Sequence, residues 1–189
     1  MIKINEKIDN FEMEAYHEDE IKKIKLFDYK EKWLILFFYP ADFTYVCPTE
    51  LSELADLYDE FKKENAEILS VSCDTVYTHK AWYDTSSSIQ KIKFPMASDH
   101  SGKLAKYFGV YIHEEGQSLR GSFIIDPDGI LKSTEINDNN IGRNGKELLR
   151  KLRAAKFVRE HKSENLVCPA SWEPGKKTLK KDLGLVGKI

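Results

Sequence analysis

A chain of 189 residues is long enough for one domain with a buried core plus a tail. Hydrophobic residues make up 41% and charged residues 32%, and no apolar run approaches the roughly 18 residues of a membrane span. The first residues, Met1-Ile2-Lys3-Ile4-Asn5-Glu6-Lys7, lack the apolar stretch of a signal peptide, so a cytoplasmic protein with no membrane partner is expected. The net charge of −2, with acids and bases interspersed, predicts no nucleic-acid partner. The one basic cluster, Lys176, Lys177, Lys180 and Lys181, reads as a solvated tail.

In chain order, apolar and charged residues alternate over 11–15, which predicts an edge strand. Residues 26–32 read as a short helix or turn. The run Trp33-Leu34-Ile35-Leu36-Phe37-Phe38-Tyr39 has the composition of a strand buried on both faces. Pro40 ends it, because proline has no N–H for a ladder, and a polar loop follows to Val46. From Pro48 onward Leu51, Leu54, Ala55, Tyr58 and Phe61 recur at helical spacing. Pro48 suits a first helical turn, and Glu50 places an acid in that turn, where helix polarity favours it.

Residues 66–73 predict a second core strand, 78–83 a helix and 104–108 a short helix. Gly121-Ser122-Phe123-Ile124-Ile125, the turn Asp126-Pro127-Asp128-Gly129 and residues 130–136 form a strong hairpin signal. A helix over about 144–161 would turn Leu148, Leu149, Leu152 and Ala155 inward. From Lys162 the periodicity fades. The expected architecture is an α/β domain over 1–161, a central mixed β-sheet flanked by helices, followed by a C-terminal arm over 162–189.

The three cysteines are Cys47, Cys73 and Cys168, with no CxxC pair among them. That argues against a thioredoxin-type motif and against the common structural zinc sites. An odd count in a reducing compartment argues against a fixed disulfide framework but permits a transient, catalytic disulfide.

Cys47 stands where the buried strand has ended and the helix begins. Helix N-termini carry unpartnered N–H groups and favour an anion, so Cys47 is expected as a thiolate. Thr44, three residues earlier, offers a hydroxyl, and Arg120, at the start of the hairpin, offers a fixed charge and a fork of donors. Cys47 would be the nucleophile, with Thr44 and Arg120 aimed at the charge that develops on a leaving oxygen. Cys73 ends an apolar strand and reads as a core residue. His17, His79, His100, His113 and His161 have no ligand-like spacing and read as surface histidines, so no metal site is expected. Gly142-Arg143-Asn144-Gly145-Lys146 lacks the spacing and the hydroxyl residue of a P-loop.

The run Pro40-Ala41-Asp42-Phe43-Thr44-Tyr45-Val46-Cys47-Pro48-Thr49-Glu50 resembles the PxxxTxxC signature of the peroxiredoxins. Arg120-Gly121-Ser122-Phe123-Ile124-Ile125-Asp126 resembles that family's arginine-bearing strand. Ser70-Val71-Ser72-Cys73-Asp74, Thr78-His79-Lys80-Ala81-Trp82 and Ile141-Gly142-Arg143 fit it as well, so the resemblance covers essentially the whole chain. It implies a thioredoxin-like fold and a thiol peroxidase that reduces hydrogen peroxide and organic hydroperoxides. Cys47 would be the attacking cysteine, Pro40, Thr44 and Arg120 would line its pocket, and Arg143 would pair with Glu50 nearby.

Leu166-Val167-Cys168-Pro169-Ala170-Ser171-Trp172 looks like the segment that carries the resolving cysteine in two-cysteine peroxiredoxins. By that resemblance the sulfenic acid on Cys47 condenses with Cys168 of a second subunit in a head-to-tail homodimer. The first turn of the helix would unwind and the arm would loosen to allow it. The C-terminal sequence resembles the bacterial alkyl hydroperoxide reductase subgroup. That implies five dimers in a decameric ring, associated through the region around Thr78 and the active-site loop. It also implies no bound cofactor, with reducing equivalents from an NADH-linked flavoprotein disulfide reductase or a thioredoxin-like donor. The GGLG loop and the Tyr-Phe pair of peroxidases sensitive to overoxidation are missing, so a robust enzyme is expected. A thiol-disulfide oxidoreductase and a holdase chaperone on the same fold are the alternatives.

Overall fold

A computed structural model describes residues 1–188. They divide into two compact units, 1–145 and the segment from Lys146 onward.

In the first unit the chain runs β1 (Glu12–His17), β2 (Glu20–Lys25), β3 (Trp33–Phe38), α1 (Cys47–Lys63), β4 (Ala66–Ser72), α2 (Val76–Thr85), β5 (Met96–Ser98), α3 (Lys103–Phe108), β6 (Tyr111–Ile112), β7 (Gln117–Ser118), β8 (Arg120–Ile125) and β9 (Leu131–Asn137). Seven of these strands form one sheet in the order β2-β1-β5-β4-β3-β8-β9, while β6 and β7 pair separately. β4 runs parallel to β3 and to β5, whereas β8 runs antiparallel to β3 and to β9. The sheet is therefore mixed, as the hairpin signal required.

All six residues of β3 are buried, which is why that stretch reads as an unbroken apolar run. Its two faces are not equivalent. Leu34, Leu36 and Phe38 join Leu69, Val71, Phe108 and Phe123 in an apolar cluster. On the other face Phe37 lies directly opposite Ser122 of β8, and Arg120, two residues before Ser122, shares that face. The sheet thus carries a polar, arginine-bearing patch on one face only.

The edge position falls to β2 and not to β1. β1 pairs with β2 on one side and β5 on the other. The sequence did not signal β2 because its turn, Glu18-Asp19, lacks glycine and asparagine. Both residues nevertheless take positive φ, 53° and 60°, as a tight two-residue hairpin turn demands. β2 is lysine-rich, Glu20-Ile21-Lys22-Lys23-Ile24-Lys25, which discourages pairing of the exposed edge with another chain. The β8–β9 turn follows its sequence signal. Asp126 Oδ1 accepts from the N–H groups of Asp128 (3.0 Å) and Ile130 (2.9 Å), and Gly129 supplies a φ of 79°.

Two side chains depart from their sequence reading. His79 is fully buried, not at the surface. Cys73 lies just beyond β4 and is half-buried, not in the core. Burial there still pushes its thiol up to about 12, the carboxylates of Asp99 and Asp74 adding to the effect.

The second unit holds the body of α4 (Gly145–Glu160), on which Leu148, Leu149 and Leu152 are buried as the periodicity predicted. The arm is more ordered than its sequence suggests. β10 (Leu166–Val167) pairs with β11 (Leu179–Lys180), closing a loop that contains Cys168 and Trp172. Trp172 is 3% exposed, its ring packs 4.8 Å from that of Phe157, and its indole N–H donates to Lys176 O at 3.1 Å.

Candidate active site

Cys47 is the first residue of α1 and is fully buried. The backbone before it already has helical angles at Val46, and the N–H groups of Thr49 and Glu50 are spent on Val46 O at 3.0 and 3.3 Å. The first turn therefore keeps fewer free donors than the position alone implies. The cationic donor on the sulfur is Arg120, whose Nη1 lies 3.4 Å from Cys47 Sγ.

Arg120 is 3% exposed and held on two further sides. Its Nε donates to Asn139 O at 2.9 Å, and the same Nη1 donates to Glu50 Oε2 at 2.8 Å. Glu50 in turn is gripped by Arg143, which donates from its backbone N and Nε to Oε1 (2.7 and 2.9 Å) and from Nη2 to Oε2 (2.9 Å). Arg143 also donates from Nη1 to Ser122 Oγ at 3.1 Å, and its guanidinium stacks 3.4 Å above the centroid of Phe37. The two sheet residues that share a face with Arg120 thus fix the second arginine.

Burial by itself would raise the Glu50 carboxyl. The hydrogen bonds and charge of Arg143, with the charge of Arg120, outweigh it and hold the carboxyl below its ordinary range. Burial lowers the Arg143 guanidinium, and Glu50 opposes that shift. Two buried guanidiniums thus face one buried carboxylate. The surplus positive charge lies against the sulfur, through Arg120.

The structure brings together Cys47, Glu50, Arg120 and Arg143. The last of these pairs with Glu50, as the resemblance implied. Pro40 is buried at the end of β3, and Thr44 sits on the loop 40–46, where its Oγ1 donates to Ala41 O at 2.8 Å. That leaves the hydroxyl's lone pairs free to accept. The loop strains its backbone at Phe43, which takes a φ of 55° and is 57% exposed. Cys168 belongs to the second unit, half-buried, with Sγ 3.8 Å from Ala154 O. Burial raises its thiol, and the charge of Arg150 opposes the shift.

Three participants carry no sequence signal: Asn139, through a backbone carbonyl, and Ser122 and Phe37, through contacts made only by folding. Among the described residues no three His, Cys, Asp or Glu side chains cluster as metal ligands, and no helix is long and apolar enough to cross a membrane.

A mixed sheet with flanking helices, carrying a buried cysteine under an arginine at a helix start, defines a thiol-based redox enzyme. Residues 4–134 match the model of the AhpC/TSA family. The chain is 45% identical over 186 residues to alkyl hydroperoxide reductase C of Salmonella typhimurium and of Escherichia coli, covering 98% of each chain. Among solved structures it resembles AhpC of Enterococcus faecalis, with 49% identity and a TM-score of 0.85 over 89% of this chain and all of that one. It also resembles a reduced 2-Cys peroxiredoxin of Plasmodium vivax, with 33% identity and a TM-score of 0.88 over 95% and 93% of the two chains. The chain belongs to the AhpC/TSA family and is an enzyme of the peroxiredoxin type with a thioredoxin fold.

Proposed function

We propose that the protein reduces hydrogen peroxide and organic hydroperoxides at Cys47, in a two-cysteine cycle completed by Cys168 of a partner copy. The observation that carries the reading is the cationic donor Arg120 Nη1, 3.4 Å from a fully buried Sγ and braced by Glu50.

The thiolate of Cys47 attacks one peroxide oxygen. The O–O bond breaks, the sulfur becomes a sulfenic acid, and the departing oxygen leaves as an alkoxide or hydroxide that takes up a proton to give alcohol or water. Arg120 stabilises the thiolate before attack and the leaving oxygen during it, and Thr44 accepts from the peroxide O–H. Pro40 keeps water off the sulfur. The thiol of Cys168 then attacks the sulfenic sulfur, forming the Cys47–Cys168 disulfide and releasing water. The arm 162–189 must release Cys168 for this, and the first turn of α1 must unwind, because a disulfide requires Cα atoms within about 7 Å. An NADH-linked flavoprotein disulfide reductase or a thioredoxin-like dithiol returns both cysteines to thiols, so no bound cofactor is needed. Homodimers, assembled as five in a ring and working in the reducing cytoplasm, complete the reading.

The test is peroxide consumption by wild type, Cys47→Ser and Cys168→Ser with candidate reductases, alongside non-reducing electrophoresis. Wild type should turn over and give a covalent dimer after peroxide. Either serine variant should lose both the dimer and sustained turnover. Peroxidase activity that survives Cys47→Ser would sink the proposal, and efficient reduction of insulin would favour a thiol-disulfide oxidoreductase instead.

A further inference from the structure

His79 and Asp42 are both buried without exposed side-chain surface, yet neither belongs to the arginine cluster around Cys47. His79 Nε2 lies 3.2 Å from the carbonyl oxygen of Ala97 on β5, a group that only accepts, so this nitrogen carries a proton. His79 Nδ1 lies 2.7 Å from Asp42 Oδ2, and a contact that short between an imidazole and a carboxyl group has a proton in it. The other carboxyl oxygen of Asp42 accepts from the hydroxyl of Tyr39 at 2.8 Å. Asp42 N–H donates to Asp74 Oδ2 at 2.9 Å, and that carboxylate is itself fixed by the hydroxyl of Ser72 at 2.7 Å. Ser118 Oγ donates to Tyr39 O at 3.0 Å.

These bonds converge on the loop 40–46 from α2, β5, the end of β4 and β7. The loop carries Pro40 and Thr44 and leads directly into Cys47. Its backbone is strained at Phe43, so it needs external restraint to keep one conformation. A polar pair with no exposed surface costs stability unless every donor and acceptor is matched. Here each one is matched, and each points at the loop or its anchor.

We infer that His79 and Asp42 are positioning residues for peroxide attack: sharing one proton, they clamp the loop that places Thr44 and Pro40 over Cys47. The groups facing the pair are the hydroxyl of Tyr39 and the carboxylate of Asp74. Burial raises the Asp42 carboxyl, the bond and charge of His79 opposing that rise without cancelling it. The inference rests on Cys47 as the attacking thiol.

The test separates the two half-reactions in the full-length enzyme, with hydrogen peroxide as oxidant and dithiothreitol as electron donor. His79→Gln should lower kcat/KM for hydrogen peroxide by about 10- to 100-fold, the effect of displacing reacting groups by about 1 Å. Dithiothreitol should still reduce the oxidised variant at close to the wild-type rate, because that step makes no use of the peroxide pocket. A purely structural role would lower the folded fraction and slow both half-reactions together. Should His79→Gln fail to fold, Asp42→Asn decides by the same readout. It keeps the shape, but its amide nitrogen cannot accept from Tyr39 or His79, so one buried donor loses its acceptor. A folded variant with wild-type kcat/KM for peroxide, or with both half-reactions equally slowed, overturns the inference. Peroxide consumption that persists in Cys47→Ser would overturn the assignment of Cys47 instead.

Discussion

Glu50→Gln removes one negative charge from a site where two guanidiniums and the carboxylate are all nearly sealed from solvent, with side chains 3%, 3% and 2% exposed. Glu50 accepts one hydrogen bond from Arg120 and three from Arg143. A glutamine of the same shape offers one oxygen and one NH2, so a donor must face donors on one side of the cluster. Breaking a buried ion pair by removing one partner costs about 3–5 kcal/mol, because the remaining charge stays desolvated. In a chain of this size each kcal/mol shifts the melting temperature by about 2–4 °C, so a drop of about 6–20 °C is expected. Arg120 loses its brace as well, and peroxide kcat/KM should fall by about 100-fold.

The pH dependence has a definite sign. The Glu50 carboxyl lies below its ordinary value of 4.5 in the folded protein. Its contribution to stability is therefore complete above that value and is lost as the pH falls through the folded one. Urea denaturation of wild type and Glu50→Gln at equal protein concentration, from neutral pH down to about pH 3, measures both effects. The difference between the two should be largest at neutral pH and shrink in acid. A loss under about 1 kcal/mol at neutral pH, or a difference that grows in acid, would refute the reasoning.

Arg120→Lys should lower peroxide kcat/KM by about 100- to 1000-fold, since one ammonium cannot serve Sγ, Glu50 and the Asn139 carbonyl in the guanidinium's fixed geometry. Cys73→Ser should leave turnover nearly unchanged, and Cys73 should alkylate slowly at neutral pH, because its thiol sits at about 12; labelling followed by mass spectrometry reads this out. Trp172→Ala removes the ring contact with Phe157 and the bond to Lys176 that order the loop around Cys168, so iodoacetamide should label Cys168 about tenfold faster at the same pH. Mass spectrometry after micromolar peroxide should find the disulfide in wild type and no build-up of sulfinic Cys47, as expected where His113-Glu114-Glu115-Gly116-Gln117 stands in place of a GGLG loop.

The chain determines by itself whatever depends on neighbouring residues. The unbroken run 33–39 forecasts a strand buried on both faces, Pro40 its end, and the 51–61 spacing the helix that Cys47 begins. Asp126-Pro127-Asp128-Gly129 encodes its own turn through the Asp126 side chain and the positive φ of Gly129. Cys47, Thr44 and Arg120 stand out as candidates in the sequence because a helix start, a nearby hydroxyl and a strand-borne cation are local features, and the fold sets Arg120 against the Cys47 sulfur.

The rest depends on register and enclosure. Arg120 reaches the sulfur because β8 pairs antiparallel with β3, which sets Ser122 beside Phe37 and Arg120 on the same face. The Glu18-Asp19 turn hid β2, since positive φ at two non-glycine residues leaves no mark in composition. His79 read as a surface residue because surface placement is the default for a histidine, although it shares a helical spacing of three with Val76 and Trp82, both buried. Only the fold encloses it and sets acceptors at both nitrogens. What the sequence supplies is an ionisable thiol at a helix start. Tertiary structure decides which charges surround it, because burial fixes how strongly each one acts.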